Sequence, residues 1–208
     1  MNTRPETDST PPRASSRALL LPFALCLALA LALLLVLKPA KPPAAALPEV
    51  ARTNLVRLDG HWCRAGQTNP FTGVLLDYYP GGVLQSRAVV SNGLLEGLFE
   101  GWHTNGQLQV REYYHTNYSD GPRTKWYPDG KKQSEATIVL GKMQGVFRRW
   151  YENGKLAEEI PMRDGKIEGQ GRSWYESGFL KTELNMHDGK VVEAKNWQDG
   201  QKPGDSHE

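Results

Sequence analysis

Tyr78, Trp102, Trp126, Trp150 and Trp174, spaced 24 residues apart, are the side chains with most to offer a ligand. Flat rings give large contact area at low entropic cost, which suits a protein partner or a glycan chain. The same column has a structural reading, a stacking ladder between neighbouring hairpins. His61 and Cys63 form half of a zinc-type pair, but no further His or Cys lies near in sequence. His103, His115, His187 and His207 fall on different columns, so no metal site is expected. Asp129 and Asp188 sit where turn chemistry accounts for them. With no Ser/His/Asp order, phosphate loop or helical zinc motif, the sequence predicts no catalytic residue, no cofactor and no enzyme.

The elements that must carry the aromatic column follow from two glycine columns on the same grid. One is Gly73, Gly97, Gly121, Gly145 and Gly169; the other is Gly82, Gly106, Gly130, Gly154 and Gly178. A fixed period of this size marks a repeat array whose units bury their apolar faces by stacking on one another. The second column follows Gly81, Asn105, Asp129, Asn153 and Ser177, steps that predict two-residue turns with positive φ. A further turn series lies at Asn92-Gly93, Gly141, Asp164-Gly165 and Asp188-Gly189, with Asn117 in the slot where one glycine is missing. Two turns per period predict strands near 73–79, 83–91, 97–103, 107–115, 121–127, 131–139, 145–151, 155–163, 169–175 and 179–187.

Counting outward from Asn153-Gly154 as a two-residue turn pairs Tyr151 with Leu156, Trp150 with Ala157, Arg149 with Glu158 and Arg148 with Glu159. The same count pairs Leu76 with Arg87, Glu100 with Arg111, Thr124 with Glu135 and Arg172 with Glu183, so like charges meet in none of these pairs. Alternation then collects Tyr79, Tyr127, Tyr151, Tyr175, Leu84, Leu108, Leu156, Leu180, Phe99, Phe147, Ile138, Ile160 and Leu184 on one face, the candidate core. The tryptophans share the other face with Gln, Arg and Glu. The fold expected is all-β: tandem hairpins in an elongated single-layer antiparallel meander. Asn54–Arg64 reads as a divergent leading hairpin. At the far end Glu193 replaces the due glycine, Trp197 and Gly200 arrive early, and a truncated closing strand is expected.

Ala18 to Leu37 is uncharged throughout, long enough at about 1.5 Å per residue to cross a hydrocarbon core of about 30 Å. It reads as a transmembrane helix; the alternative is the h-region of a cleaved signal peptide, with Ala44-Ala45-Ala46 as the cleavage site. A run longer than the usual 7–15 residues of an h-region, closed by Lys38, favours the uncleaved anchor. Cys26 reads as a small apolar residue within it. Arg4, Arg13 and Arg17 before the span, against Lys38 and Lys41 behind it, place the C-terminal body outside the cytoplasm in a single-pass arrangement. The domains expected are a disordered tail (1–17), the span (18–37), a Pro/Ala linker (38–52), the repeat body (53–200) and a polar tail (201–208). With 25 basic against 23 acidic residues, the chain lacks the basic excess that nucleic acid requires.

The units GLFEGWHTNGQL, GPRTKWYPDGKK, GVFRRWYENGKL and GQGRSWYESGFL resemble the variant MORN repeats of bacterial YwqK-type antitoxin proteins, over about residues 54–200. The resemblance implies a β-hairpin rod acting as an interaction module, with a protein partner, a toxin-antitoxin role and no catalytic residues. GW and WY steps also occur at a similar period in bacterial wall-binding repeats, which makes polysaccharide the alternative ligand.

Overall fold

The computed structural model describes residues 46–204. The 18–37 span, Cys26, His207 and the 1–17 tail lie outside them. No helix among the described residues is long and apolar enough to cross a membrane. The strands are β1 (Glu49–Ala51), β2 (Leu55–Leu58), β3 (His61–Arg64), β4 (Gly73–Tyr78), β5 (Leu84–Ser91), β6 (Leu94–Trp102), β7 (Leu108–His115) and β8 (Tyr118–Ser119). They continue with β9 (Gly121–Trp126), β10 (Lys132–Val139), β11 (Lys142–Trp150), β12 (Leu156–Arg163), β13 (Lys166–Ile167), β14 (Gly169–Trp174), β15 (Leu180–His187) and β16 (Lys190–Asn196). All but β2 and β3 join one fourteen-stranded sheet, in the order β1-β4-β5-β6-β7-β9-β10-β11-β12-β14-β15-β16, with β8 on β7 and β13 on β12. From β4 onward each long strand pairs with its sequence neighbours, which is what hairpins repeated at a fixed period produce.

The N-terminal end departs from the expected antiparallel meander. Glu49–Ala51, in the stretch read as linker, forms β1 and pairs parallel with β4, Val50 beside Leu75. The Val74 N–H donates to the Pro48 carbonyl at 2.8 Å. A parallel pairing needs a long crossover, and the segment from the 3-10 turn Arg52–Asn54 through β2 and β3 supplies it. The leading hairpin forms but folds as its own two-stranded sheet, Leu55 opposite Arg64. Trp62 N–H donates to Gly93 O at 2.8 Å, Gly93 N–H to Phe71 O at 2.7 Å and Phe71 N–H to Trp62 O at 2.8 Å. This cap closes a small core of Val50, Leu55, Phe71, Leu75, Ala88 and Val90, flanked by Trp62, Leu95 and Phe99. An open edge and an uncovered apolar face both favour such a cap. Gly73 is required here, because a Cβ would stand 2.4 Å from both Phe71 and the Pro48 carbonyl.

The turns are also distributed differently from expectation. At Gly82, Gly106, Gly130, Gly154 and Gly178 the loops have three residues: Gly154 N–H donates to Tyr151 O, and Tyr151 N–H to Lys155 O, both at 2.9 Å. Gly154 has φ 82° while Asn153 stays at negative φ, the geometry of a turn closed by a glycine in the left-handed region. The two-residue turns with paired positive φ belong to the other series, as at Asn92-Gly93 (48°, 78°), Thr116-Asn117 (50°, 68°) and Asp164-Gly165 (51°, 80°). Gly97 and Gly145 mark wide bulges: between Glu135↔Arg148 and Thr137↔Gln144, one β10 residue faces three on β11, including Gly145 at φ 77°, and Val89 of β5 likewise faces three on β6, including Gly97 at φ 90°. β6 and β11 therefore start before the glycine, at Leu94 and Lys142, whereas β4, β9 and β14 start at Gly73, Gly121 and Gly169 as expected.

A second, narrower bulge corrects the assignment of faces. Arg149 faces Glu158 as counted, but Trp150 faces Leu156, and Ala157 is the extra residue. Tyr78↔Leu84, Trp102↔Leu108, Trp126↔Lys132 and Trp174↔Leu180 repeat the offset. The leucine column thus lies on the tryptophan side, while Phe99, Ile138, Phe147, Ile160 and Leu184 remain on the apolar side. Three-residue loop and bulge each shift the count by one residue and cancel, which is why the charge pairs beyond them hold.

Candidate interaction surface

On the tryptophan face the registers join into one transverse row. Arg87 faces Glu100, Glu100 faces Arg111, Arg111 faces Thr124 and Thr124 faces Glu135. Glu135 faces Arg148, Arg148 faces Glu159, Glu159 faces Arg172, Arg172 faces Glu183 and Glu183 faces Lys195. Along this row no like charges meet, whether within a hairpin or between hairpins. Arg111 reaches Glu100 at 2.7 Å, Arg148 reaches Glu159 at 2.8 Å and Glu135 at 3.3 Å, and Arg172 reaches Glu183 at 3.0 Å. Lys132 beside Glu135, joined by Arg148, holds the Glu135 carboxyl below its usual range. Exposed pairs contribute little each; a register slip that brought like charges together would cost stability across the whole row.

Two residues along each outgoing strand runs the aromatic row. Trp102, Trp126, Trp150 and Trp174 are half-buried and Tyr78 is exposed. Lys132 faces Trp126 and places its ammonium 5.1 Å from the Trp150 ring, and leucines occupy the equivalent return positions. Indole therefore alternates with an aliphatic stem, so the column is no ring-on-ring stack; the ring pair in contact among the described residues is Phe99 with Tyr114, 5.9 Å apart.

The ladder that ties unit to unit is the next residue along, which the sequence reading missed. Tyr79, Tyr127 and Tyr151 donate their hydroxyls to the carbonyls of Trp102, Trp150 and Trp174 at 2.9, 2.8 and 2.8 Å. His103 Nε2 donates to Trp126 O at 2.9 Å, and Tyr175 to Trp197 O at 3.0 Å. Asn105 and Asn153 add amide bonds to the next loop, at Pro128 O and Glu176 O. The sequence signal was present, since the aromatic follows its tryptophan in nearly every unit.

On the apolar face, Glu112 is the polar side chain that is buried among the described residues. Glu112, 7% exposed, accepts from Arg123 at 2.7 Å, Ser119 at 3.0 Å and Tyr114 at 3.2 Å. Burial, then the Glu112 charge, raises the Tyr114 hydroxyl above its ordinary value.

His61 and Cys63 gather no third ligand among the described residues. Cys63 is buried, with its thiol 3.6 Å from Thr68 O, and His61 Nδ1 lies 3.0 Å from Asp59 O. Glu168, His187 and Asp188 do bring ligand-type atoms together. Turn capping accounts for them: Glu168 accepts from His187 Nδ1 at 2.8 Å and from the Asp188 N–H at 3.0 Å. Glu96 treats His115 and the Thr116 N–H identically, both at 2.9 Å. Hydrogen bonding to Glu96 raises the His115 pKa, while the Thr116 N–H first and His115 second lower that of Glu96.

The concavities are open. One of about 830 Å³ lies at the last units and is lined by Arg172, Trp174, Leu180, Glu183, Asn196 and Trp197 among others.

Fold and surface together define a tandem β-hairpin repeat protein that presents rows of side chains. Residues 95–116, 119–139 and 143–164 match the family model of the MORN repeat variant, a non-enzymatic interaction repeat. The hairpins β4–β5 and β14–β15, outside those matches, keep the same register. No curated protein matches the chain.

Proposed function

We propose that this chain is a non-enzymatic scaffold that binds a protein along its tryptophan face, tethered to a membrane by residues 18–37 with the body outside the cytoplasm. The observation that carries this is the paired row from Arg87 to Lys195 beside the aromatic row of Tyr78, Trp102, Trp126, Trp150 and Trp174. Its charges cancel locally, which suits a mixed-charge protein surface better than a polyanion, and its half-buried aromatics are the anchor type found at interface centres. A photo-crosslinking residue in place of Thr124 in the full chain is expected to give a discrete protein adduct that Trp126→Ala abolishes; no adduct in cells that express the chain would overturn the reading. A toxin-like protein is one such partner, for which co-expression rescue of growth is the direct assay.

A polysaccharide-binding reading is favoured by the open groove between Trp174 and Trp197 with its polar wall. It predicts that peptidoglycan retention is lost in Trp126→Ala and Trp150→Ala at an unchanged melting temperature.

A further inference from the structure

The two edges of the fourteen-stranded sheet are treated differently. At the N-terminal edge, β1 pairs onto β4 and the hairpin β2–β3 covers the adjoining face. At the other edge β16 pairs, among the described residues, with β15 alone and is exposed from Lys190 to Asn196, with Val191 and Val192 at 59% and 64% exposure. An unpaired strand of this kind is a template for strand addition.

β16 is also the outgoing strand of a sixth unit that follows the grid. A single-residue bulge between Asn185↔Glu193 and Met186↔Val191 replaces the wide glycine bulge of other units, so Trp197 arrives one residue early yet still accepts the Tyr175 hydroxyl. Its loop begins as the others do: Gln201 N–H donates to Gln198 O at 3.0 Å, and Ser177 bonds Asp199. The chain then turns at Pro203-Gly204 and does not pair back onto β16 among the described residues.

The earlier units state what a return strand there must carry. Where the outgoing residue in the charged row is basic and the tryptophan follows two residues later, the return strand reads Leu156-x-x-Glu159-Ile160 or Leu180-x-x-Glu183-Leu184. β16 presents the same pair, Lys195 and Trp197. Among the described residues no acidic strand lies on the outer side of Lys195; its ammonium reaches Glu193 of the same strand at 2.9 Å, and Glu183 faces it from β15. Trp197 also lines an open groove with Trp174 and Leu180 at this end of the tryptophan face.

We propose that the β16 edge takes an extended segment of a partner protein as its antiparallel return strand, with the pattern leucine, two spacers, glutamate, aliphatic residue. This rests on the protein-binding reading above and names the partner's chemistry. The test uses the full chain in detergent and a synthetic peptide copying residues 179–187. The peptide is expected to bind, to weaken about tenfold when its glutamate becomes lysine, and to recover in the lysine form on the Lys195→Glu chain. The peptide swap leaves the chain untouched, so its effect stands even if the chain variant is destabilised. Binding indifferent to both swaps would overturn the proposal, as would self-association of the chain that Lys195→Glu dissolves, since β16 would then serve a second copy. Crosslinks from Thr124 test the broader reading separately, so failure of the peptide experiment and failure of that reading are distinguishable.

Discussion

Glu112 and Arg123 occupy positions that are apolar in the neighbouring units, Ala136 and Phe147 among them. Removing one partner of a buried pair strands the other charge. Arg123→Met should therefore cost about 2–3 kcal/mol, the lower range because Arg123 keeps a quarter of its exposure. Glu112→Ala combined with Arg123→Phe should recover most of it in denaturant unfolding, because both positions then match the apolar row. The tyrosine ladder gives a second expectation: Tyr127→Phe and Tyr151→Phe each lose one hydroxyl bond worth about 1 kcal/mol, a fall of about 2–4 °C in melting temperature. No change in either would show that the hydroxyl bonds to Trp150 and Trp174 do not hold the units together.

The Glu96–His115 contact supplies a pH dependence. His115 is raised above 6.5 and Glu96 lowered below 4.5. The histidine's contribution is complete below about 6.5 and lost as pH rises through its higher folded value. The carboxylate's contribution is present above about 4.5 and lost as pH falls through its lower folded value. An NMR titration should place the His115 midpoint above that of a free histidine and return it in Glu96→Gln; an unmoved midpoint would contradict the contact.

At the scale of the element, the two turn types carry separable costs. Leu140 holds φ 46° in a two-residue turn and is 61% exposed, where other units use Asn, Asp or Thr. A leucine in that region is strained, so Leu140→Asn should stabilise the chain by about 0.5–1 kcal/mol in thermal unfolding. Gly145→Ala meets open space and bears only the strain of φ 77°, whereas Gly73→Ala meets backbone and ring at 2.4 Å. The second should be far more damaging.

The elements also show what the sequence could and could not reveal. The charge pairs Arg148–Glu159 and Arg172–Glu183 were legible because they depend on the sum of loop and bulge, which the 24-residue period fixes. The face of Leu156 was not legible, since the bulge at Ala157 carries no glycine or proline to mark it. β1 was hidden because Glu49–Ala51 follows a Pro/Ala stretch and pairs with a strand more than twenty residues away in sequence. The recurring aromatic after each tryptophan marked the Tyr151 position, but its hydroxyl bond to Trp174 O spans 23 residues and joins adjacent units, which the pattern within one unit does not reveal.

For the molecule as a whole, the cap at β1–β3 and the open strand β16 give the array a direction, and the charged row gives it a register that neighbouring units share. A removed unit should therefore be tolerated when the row is preserved. Deleting residues 145–168 removes one full period and brings Glu135 opposite Arg172, an opposite-charge pair again. Deleting residues 145–167, one residue fewer, leaves an extra residue between the strands and turns the side chains beyond it to the other face. Thermal unfolding of the two deletions in the full chain, followed by circular dichroism in the β region, tests the shared register most directly. The 24-residue deletion should keep a single cooperative transition close to that of the intact chain, while the 23-residue deletion should lose it or melt well below. Equal transitions for the two would contradict an array held in step by its transverse rows.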